Sequence, residues 1–326
     1  MPQLRISVAM CTYNGAAHLP HQLASICRQT VTPDEIVICD DNSSDETPAM
    51  LQRYASETPL SIRVLSNSKR LGSTRNFDRV IHACGGEIIV LADQDDIWKE
   101  NKLETLRSAF LADADLGYVF SDGDVIDEQG KPIGLSMWES LGFTPSSLAQ
   151  GFESDATLFL LKQNVVTGAA MAFRSSLVRV FGSIPQGWLH DHWIALMGSI
   201  FTKGQPISDR LILYRQHAAQ QKGVRRSTVT ERYRESIALS ENARSTKIQR
   251  LKELADRVSE VSNSGICRSN ASAAIIQEKI DHISSRSLAR SSKGFTKLRV
   301  VMSEIAAGRY HRFSDSWISA ARDLIA

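Results

Sequence analysis

Cysteine is scarce in this chain and follows no pairing pattern: Cys11, Cys27, Cys39, Cys84 and Cys267 share no spacing. An odd, scattered set excludes a disulfide framework, argues against a zinc site and points to a reducing compartment. No apolar run approaches the length of a membrane span, so any membrane contact is expected to be peripheral. No signal-peptide pattern stands at the N-terminus, where Arg5 and a short run over 6–10 lead directly into a turn. The expected location is cytoplasmic, at most peripheral at the inner face of a membrane. No internal repeat is visible. Net charge is nearly absent, at +2 over 326 residues, but it is unevenly placed. Residues 218–326 hold 20 Lys+Arg against 11 Asp+Glu, or +9, and the remainder holds 18 against 25, or −7. Two parts with different surroundings follow from that split.

What is present has ordinary globular proportions, 42% apolar and 23% charged. Short apolar runs at 6–10, 35–39, 62–65, 87–92 and 116–122 read as strands. Helical spacing over 18–29, 47–55 and 76–83 alternates with them. Strands alternating with helices through short loops predict an α/β fold with a mainly parallel sheet. Residues 133–163 show no clear period and read as loops with helical pieces. Further strands are expected at 165–173 and 211–215, a helix at 194–201, and long polar helices at 229–261 and 271–285, broken near 262–265 and 291–294.

The most informative stretch is Asp93-Gln94-Asp95-Asp96, at the end of the run 87–92. Carboxylates this close repel and stay ionised only beside a cation. Oxygen-rich clusters suit hard ions such as Mg²⁺ or Mn²⁺, and ligands in open α/β sheets collect at strand C-termini. A metal that holds a substrate's phosphates is one expectation. The other is that Asp96 caps a helix over 98–111. Polar groups end the neighbouring strands too: Thr12-Tyr13-Asn14-Gly15, Asp40-Asp41 and Ser121-Asp122. An aromatic ring beside a carboxylate suits a nucleobase, and Arg75 suits a phosphate.

Residues 7–15, ending in Thr12-Tyr13-Asn14-Gly15, residues 36–45, ending in Asp40-Asp41-Asn42-Ser43-Ser44-Asp45, and residues 92–98, containing Asp93-Gln94-Asp95-Asp96-Ile97-Trp98, come in this order and spacing. Together they resemble the family 2 glycosyltransferases, which have the GT-A fold. With Tyr214-Arg215-Gln216-His217, the chain looks most like the bacterial rhamnosyltransferase-type branch that builds surface polysaccharides. The resemblance implies a GT-A domain over 1–217, with a nucleotide-sugar half over 1–125 and an acceptor half over 126–217, followed by a basic helical extension over 218–326. It implies that Thr12, Tyr13 and Asp41 hold the nucleoside, with Asn14 in the same loop, and that Asp93 and Arg75 face the sugar diphosphate. Asp95 and Asp96 are then the expected metal contacts, for Mg²⁺ or Mn²⁺, joined by His217. The donor would be a UDP or dTDP sugar and the acceptor a glycan or lipid-linked glycan.

Such enzymes invert the anomeric carbon in one displacement and need a general base. Asp191, in Trp188-Leu189-His190-Asp191-His192-Trp193, is the candidate, since flanking aromatics can desolvate a carboxylate. The plain alternative is that it caps a helix from Trp193. Arg215 is expected on a phosphate or on the acidic cluster. Thr167-Gly168-Ala169-Ala170 reads equally as an acceptor-site floor or as a packed strand. Trp188 is expected to stack on a sugar, with Trp138 and Trp193 as further candidates. The amphipathic stretch over 310–325 can pack on the catalytic domain, pair with a partner helix or lie on an anionic membrane, and a homo-oligomer stays open. Nucleic acid is not expected, because the front half is acidic and no reader motif is present. Competing activities are a haloacid-dehalogenase-type phosphatase, whose DxDx[TV] pattern is not matched here, and a sugar nucleotidyltransferase, whose Gly-rich first loop is missing. A non-catalytic carbohydrate-binding protein is the third alternative.

Overall fold

The computed structural model describes residues 4–217, 241–265 and 270–325. Nine strands form one sheet: β1 (Ile6–Thr12), β2 (Glu35–Asp40), β3 (Ile62–Ser66), β4 (Ile88–Ala92), β5 (Ile97–Trp98), β6 (Leu116–Ile126), β7 (Pro132–Ser136), β8 (Met171–Arg174) and β9 (Lys203–Arg215). Their order is β3-β2-β1-β4-β8-β6-β9-β5, with β7 paired to β6. β1, β2 and β4 are apolar nearly throughout because helices cover both faces of this part of the sheet. β1 to β4 run parallel. β8 is reversed against β4 and β6, and β9 again runs parallel to β6. The predicted α/β fold with a mainly parallel sheet is therefore what forms. The C-terminal ends of β1, β2, β4, β6 and β9 share one edge, and the reversed β5 and β8 begin there.

The flanking helices are α1 (Leu19–Cys27), α2 (Thr47–Glu57), α3 (Ser73–Ala83), α4 (Lys102–Ala112), α5 (Met137–Ser140), α6 (Pro145–Lys162), α7 (Leu177–Phe181) and α8 (His190–Phe201). Several differ from expectation. The helix expected over 98–111 starts only at Lys102, because Ile97 and Trp98 pair with Leu213 and Ile212 of β9. The strand expected over 165–173 is a 3₁₀ turn, Gly168–Ala170, followed by the short β8. Residues 133–163 are more regular than expected, since β7, α5 and α6 lie there. β9 is thirteen residues long rather than five, and five of its residues are exposed, which hides its period.

The chain divides into two compact units, Met1–Glu153 with Val165–Arg226, and Ser154–Asn164 with Ser227–Ala326. The first boundary, between Glu153 and Ser154, lies next to Asp155, whose extended backbone (φ −166°) interrupts α6. Asp155 Oδ1 accepts from Leu158 N at 2.8 Å and so caps the second piece. The second unit also contains α9 (Glu241–Asn263), α10 (Asn270–Ser291), α11 (Gly294–Ala306), α12 (Arg309–Phe313) and α13 (Ser316–Ile325). Its core joins Leu254, Val258, Ile276, Val301, Tyr310 and Phe313. A buried carboxylate, Asp323, accepts from Arg286, Arg290 and the Tyr310 hydroxyl within that core. The break expected near 291–294 is present. Much of the helix expected over 229–261, and Cys267, lie outside the described residues.

Candidate active site

The shared edge gathers most of the residues singled out above. At the end of β1, the Thr12 hydroxyl donates to Asp40 Oδ1 at 2.9 Å. Gln94 clamps the next residue from both sides: its Oε1 accepts from Tyr13 N at 2.8 Å and its Nε2 donates to Tyr13 O at 3.0 Å. A side chain at Gly15 would push the Gln94 clamp aside, because a Cβ there would lie 2.1 Å from Gln94 Oε1. The Arg70 guanidinium stands 4.0 Å from the centre of the Tyr13 ring. Asn14 is left-handed (φ 46°) and spends its Oδ1 on Ser44 N. It pins the loop after β2 to the loop after β1.

Asp41 is buried and organises a second loop. Its Oδ1 accepts from Asn67 Nδ2 and Leu71 N, each at 2.7 Å, and its Oδ2 from Gly72 N at 2.8 Å. A carboxylate has about four acceptor positions, so one is left for a ligand. The loop opens α3 at Gly72 (φ 86°), where exposed Arg75 lies in the first turn. Lys69, Arg70, Arg75, Thr74, Gln186 and Gly187 help line a cavity of about 570 Å³. Three cations at a helix N-terminus suit an anion.

The acidic run fills the short link between β4 and β5. Asp93 is half-buried, and burial first, then the charges of Asp95 and Asp191, push it up to about 7 against the opposing pull of Lys102. Asp191, about a hundred residues later in sequence, is thus near enough for its charge to act on Asp93. Asp95 Oδ2 lies 2.8 Å from His217 Nε2, and each side chain is 12% exposed. Asp96 faces inward. It is fully buried, its Oδ1 accepts from Arg215 N at 3.0 Å, and burial with its two acidic neighbours raises it well above the usual carboxylate range. It caps no helix, because Asn101 holds that place before α4. Arg215 is not aimed at a phosphate: its guanidinium donates to the carbonyls of Asp95, Asp127 and Glu128. Asp122 lies inside β6 rather than at its end, and accepts from Gly123 N and Trp138 N.

Asp191 lies in the first turn of α8 but does not cap it, since Leu189 holds the cap position. Its Oδ2 accepts from Gly168 N at 3.2 Å. His190 is buried and stacked on Phe77 at 3.9 Å, and burial lowers its pKa. The Thr74 hydroxyl donates to Trp188 O at 2.8 Å and joins this loop to α3. Trp188, Trp193 and Trp138 are all core residues, at most 5% exposed, so the expected sugar stacking has no surface to use. The run 168–170 is fully buried in packing.

A profile described as glycosyl transferase family 2 matches residues 7–181, just over half of the chain. The chain belongs to this family. A glycosyltransferase of Nostoc sp. is 27% identical over 66% of this chain and 66% of its own length. A dTDP-rhamnosyl transferase of Shigella flexneri is 34% identical over 29% of this chain and 34% of its own. The chain thus spans less than two thirds of these relatives. Among solved structures, S. aureus TarS with UDP-GlcNAc superposes at TM-score 0.55 and 15% identity, over 85% of this chain and 70% of TarS. A mannosyltransferase of Pyrobaculum calidifontis with GDP-Man and Mn²⁺ does so at 0.50 and 17%, over all of this chain and 88% of the other. These likenesses establish a shared fold. Family membership sets aside the phosphatase and nucleotidyltransferase alternatives. The match includes Thr12, Asp41, Arg75, Asp93, Asp95 and Asp96, and stops short of Asp191 and His217.

Three residues of this family 2 chain at the edge escaped the sequence reading. Gln94 passes for a spacer between acids, yet it holds the Tyr13 loop. His18 precedes α1 and lies with its ring 5.3 Å from that of His217, and burial with the Arg215 and His217 charges lowers its pKa. Lys102 looks like a surface lysine in a helix start, but it is fully buried.

Proposed function

We propose that the chain is an inverting, metal-dependent glycosyltransferase that moves a sugar from a nucleoside diphosphate to a hydroxyl of a glycan or lipid-linked glycan. The observation that carries the reading is the meeting of Asp93, Asp95, His217 and Asp191 at one sheet edge. Loops at the same edge can take a nucleoside beside Thr12, Tyr13 and Asp41. Arg75, with Lys69 and Arg70 on the cavity, suits the diphosphate.

Among the described residues no three carboxylate, imidazole or thiolate groups converge to cage a metal by themselves. Asp95 and His217 nevertheless fit one as a pair. A carboxylate and an imidazole suit Mn²⁺, and Mg²⁺ less well. Ions of this kind commonly take one or two protein ligands and fill the rest with phosphate oxygens and water. Asp93 and inward-facing Asp96, both pushed up, mark a place short of positive charge. When bound, a divalent ion supplies neutralisation of the charge on the leaving diphosphate. Asp96 backs the pair through the Arg215 amide.

Asp191 accepts the proton of the incoming hydroxyl, held by Gly168 N and close enough for its charge to act on Asp93. Reaction in one displacement then inverts the anomeric carbon, and no covalent sugar on the protein is needed. UDP or dTDP sugars are the first donors to test, because the named relatives and neighbours include a dTDP-rhamnosyl transferase and a UDP-GlcNAc complex. Rhamnosyl transfer in bacterial surface polysaccharide synthesis belongs to the same reading.

The decisive experiment pairs a thermal-shift screen of nucleoside diphosphates and their sugars, with Mn²⁺ or Mg²⁺, with an assay for diphosphate release. One donor should stabilise the protein only with the ion, and release should require an acceptor. Asp191→Asn should keep that stabilisation while slowing transfer by about 10²–10⁴-fold. Full transfer by this variant would remove Asp191 from the base role, and stabilisation by no nucleotide would remove the donor site.

The second unit joins the reading as a peripheral anchor on an anionic bilayer at the inner face of the membrane. On α11, Phe295, Leu298 and Met302 are 80%, 47% and 51% exposed at helical spacing. On α13, Trp317, Ile318 and Ile325 are 60%, 57% and 86% exposed. Lys293 and Arg299 are exposed beside the first stripe, whereas the one acid of α11, Glu304, is buried and held by His282 and Arg309. The +9 charge of residues 218–326 favours anionic lipid over a second, equally basic copy.

A further inference from the structure

Lys102 is a buried cation that the proposed reaction leaves unused. Its side chain runs inward from the first turn of α4 and is 0% exposed. The ammonium lies 3.8 Å from the centre of the Trp98 ring and donates to Ala169 O at 2.7 Å. Ala169 is the middle residue of the single 3₁₀ turn whose first amide, Gly168 N, reaches Asp191 Oδ2. Lys102 is also charge-coupled to Asp96 and Asp93. One side chain of the nucleotide-sugar half thus touches the turn that holds the acceptor-side carboxylate.

The turn has little to fix it by itself. Gly168 and its two alanines offer no side-chain hydrogen bond, and a side chain at Gly168 would displace the His190 ring, because a Cβ would lie 2.5 Å from His190 Nε2. Its carbonyl side is held by Lys102 and its amide side by Asp191. A buried ammonium is costly beside an apolar side chain of equal length, which would pack without desolvation. Filling space therefore does not account for a lysine here.

We propose that Lys102 is a positioning residue, which locks the 168–170 turn through the Ala169 carbonyl and thereby aims Asp191 at the acceptor hydroxyl. This rests on the reading of Asp191 as the base. Misplacing a reacting group by about 1 Å can cost on the order of 10²-fold in rate, whereas Tyr13 and Asp41 make their hydrogen bonds to Gln94, Asn67, Leu71 and Gly72. The role therefore separates turnover from donor binding.

The test compares Lys102→Met, Lys102→Gln and Lys102→Arg with wild type and Asp191→Asn in the full chain. Nucleoside diphosphate affinity is measured by titration and steady-state kcat and KM by diphosphate release. Lys102→Met should keep donor affinity within about threefold and lose about 10–100-fold in kcat. Lys102→Gln or Lys102→Arg, which keep a donor for the carbonyl, should recover part of that loss. If Lys102→Met does not fold, the other two decide: kcat must fall by more than the donor affinity does. Wild-type kcat in the soluble Lys102 variants, with Asp191→Asn inactive, overturns the positioning role alone. Equal losses in donor affinity and kcat overturn it in favour of a purely structural lysine. Wild-type turnover by Asp191→Asn overturns the base assignment, and the Lys102 role with it.

Discussion

Asp93 shows what the site costs a single side chain. Burial and the charges of Asp95 and Asp191 raise it to about 7. An acid raised on folding holds more protons in the folded chain than in the unfolded one between the two pKa values. Its favourable contribution is therefore present below about pH 4, the unfolded value, and is lost as pH climbs to about 7. Asp93→Asn should raise the melting temperature of the metal-free protein at pH 8, by roughly 2–4 °C for each kcal/mol relieved. Thermal unfolding from pH 4 to pH 8 should show that gain shrink toward the acid end. A gain independent of pH would mean that charge repulsion is not its source. Saturating Mn²⁺ should narrow the gap, since a bound cation relieves the same repulsion. The acids at 93–96 were legible because their type and crowding carry the signal. Gln94, His18 and Lys102 were not, because burial and a partner seventy or two hundred residues away leave no trace in local sequence.

Among the elements, the parallel strands were read from runs such as 35–39 and 87–92, where burial on both faces leaves an unbroken apolar string. The reversed part of the sheet was harder. β8 is four residues long and the first part of β9 is mostly exposed, so neither shows a clean period. The loop between β1 and α1 is governed by the Gln94 clamp. Gln94→Ala should free the Tyr13 loop and raise donor KM by about 5–10-fold, the worth of one or two buried hydrogen bonds, with a smaller effect on kcat. Equal KM in variant and wild type would show that the loop keeps its shape without the clamp. For α11 and α13, sedimentation with vesicles of neutral or part-anionic phospholipid reads the proposed anchor. The full chain should bind the anionic vesicles, and a Phe295→Glu/Leu298→Glu/Trp317→Glu variant should lose at least about fivefold of that binding. Unchanged binding would refute the anchor, and a smaller mass in size-exclusion chromatography for the variant would assign the face to a second copy instead.

Over the whole molecule, two units carry different kinds of core. The first is an apolar sheet flanked by helices, which carries the candidate site. The second has Asp323 at its centre, fully buried and shared by Arg286, Arg290 and Tyr310. Asp323→Ala would leave two guanidinium groups without their buried counter-charge, at a cost of about 3–5 kcal/mol. Chemical denaturation should show the loss, and limited proteolysis should cut first within 241–325. Cuts confined to the first unit would mean that the network contributes little. Sequence alone determined the α/β class, the strand-end motifs and the likeness to family 2, because alternation of apolar runs and the order of short polar motifs are local properties of the chain. It also marked the basic tail, since charge can be counted. Tertiary structure alone decided that Asp96 turns inward, that Arg215 is spent on carbonyls, that three tryptophans fill the core, and that Asp191 comes to Asp93. Each of these depends on which distant segments the sheet order makes neighbours, and reversing one strand, β8, is what carries the 168–170 turn to the acidic edge.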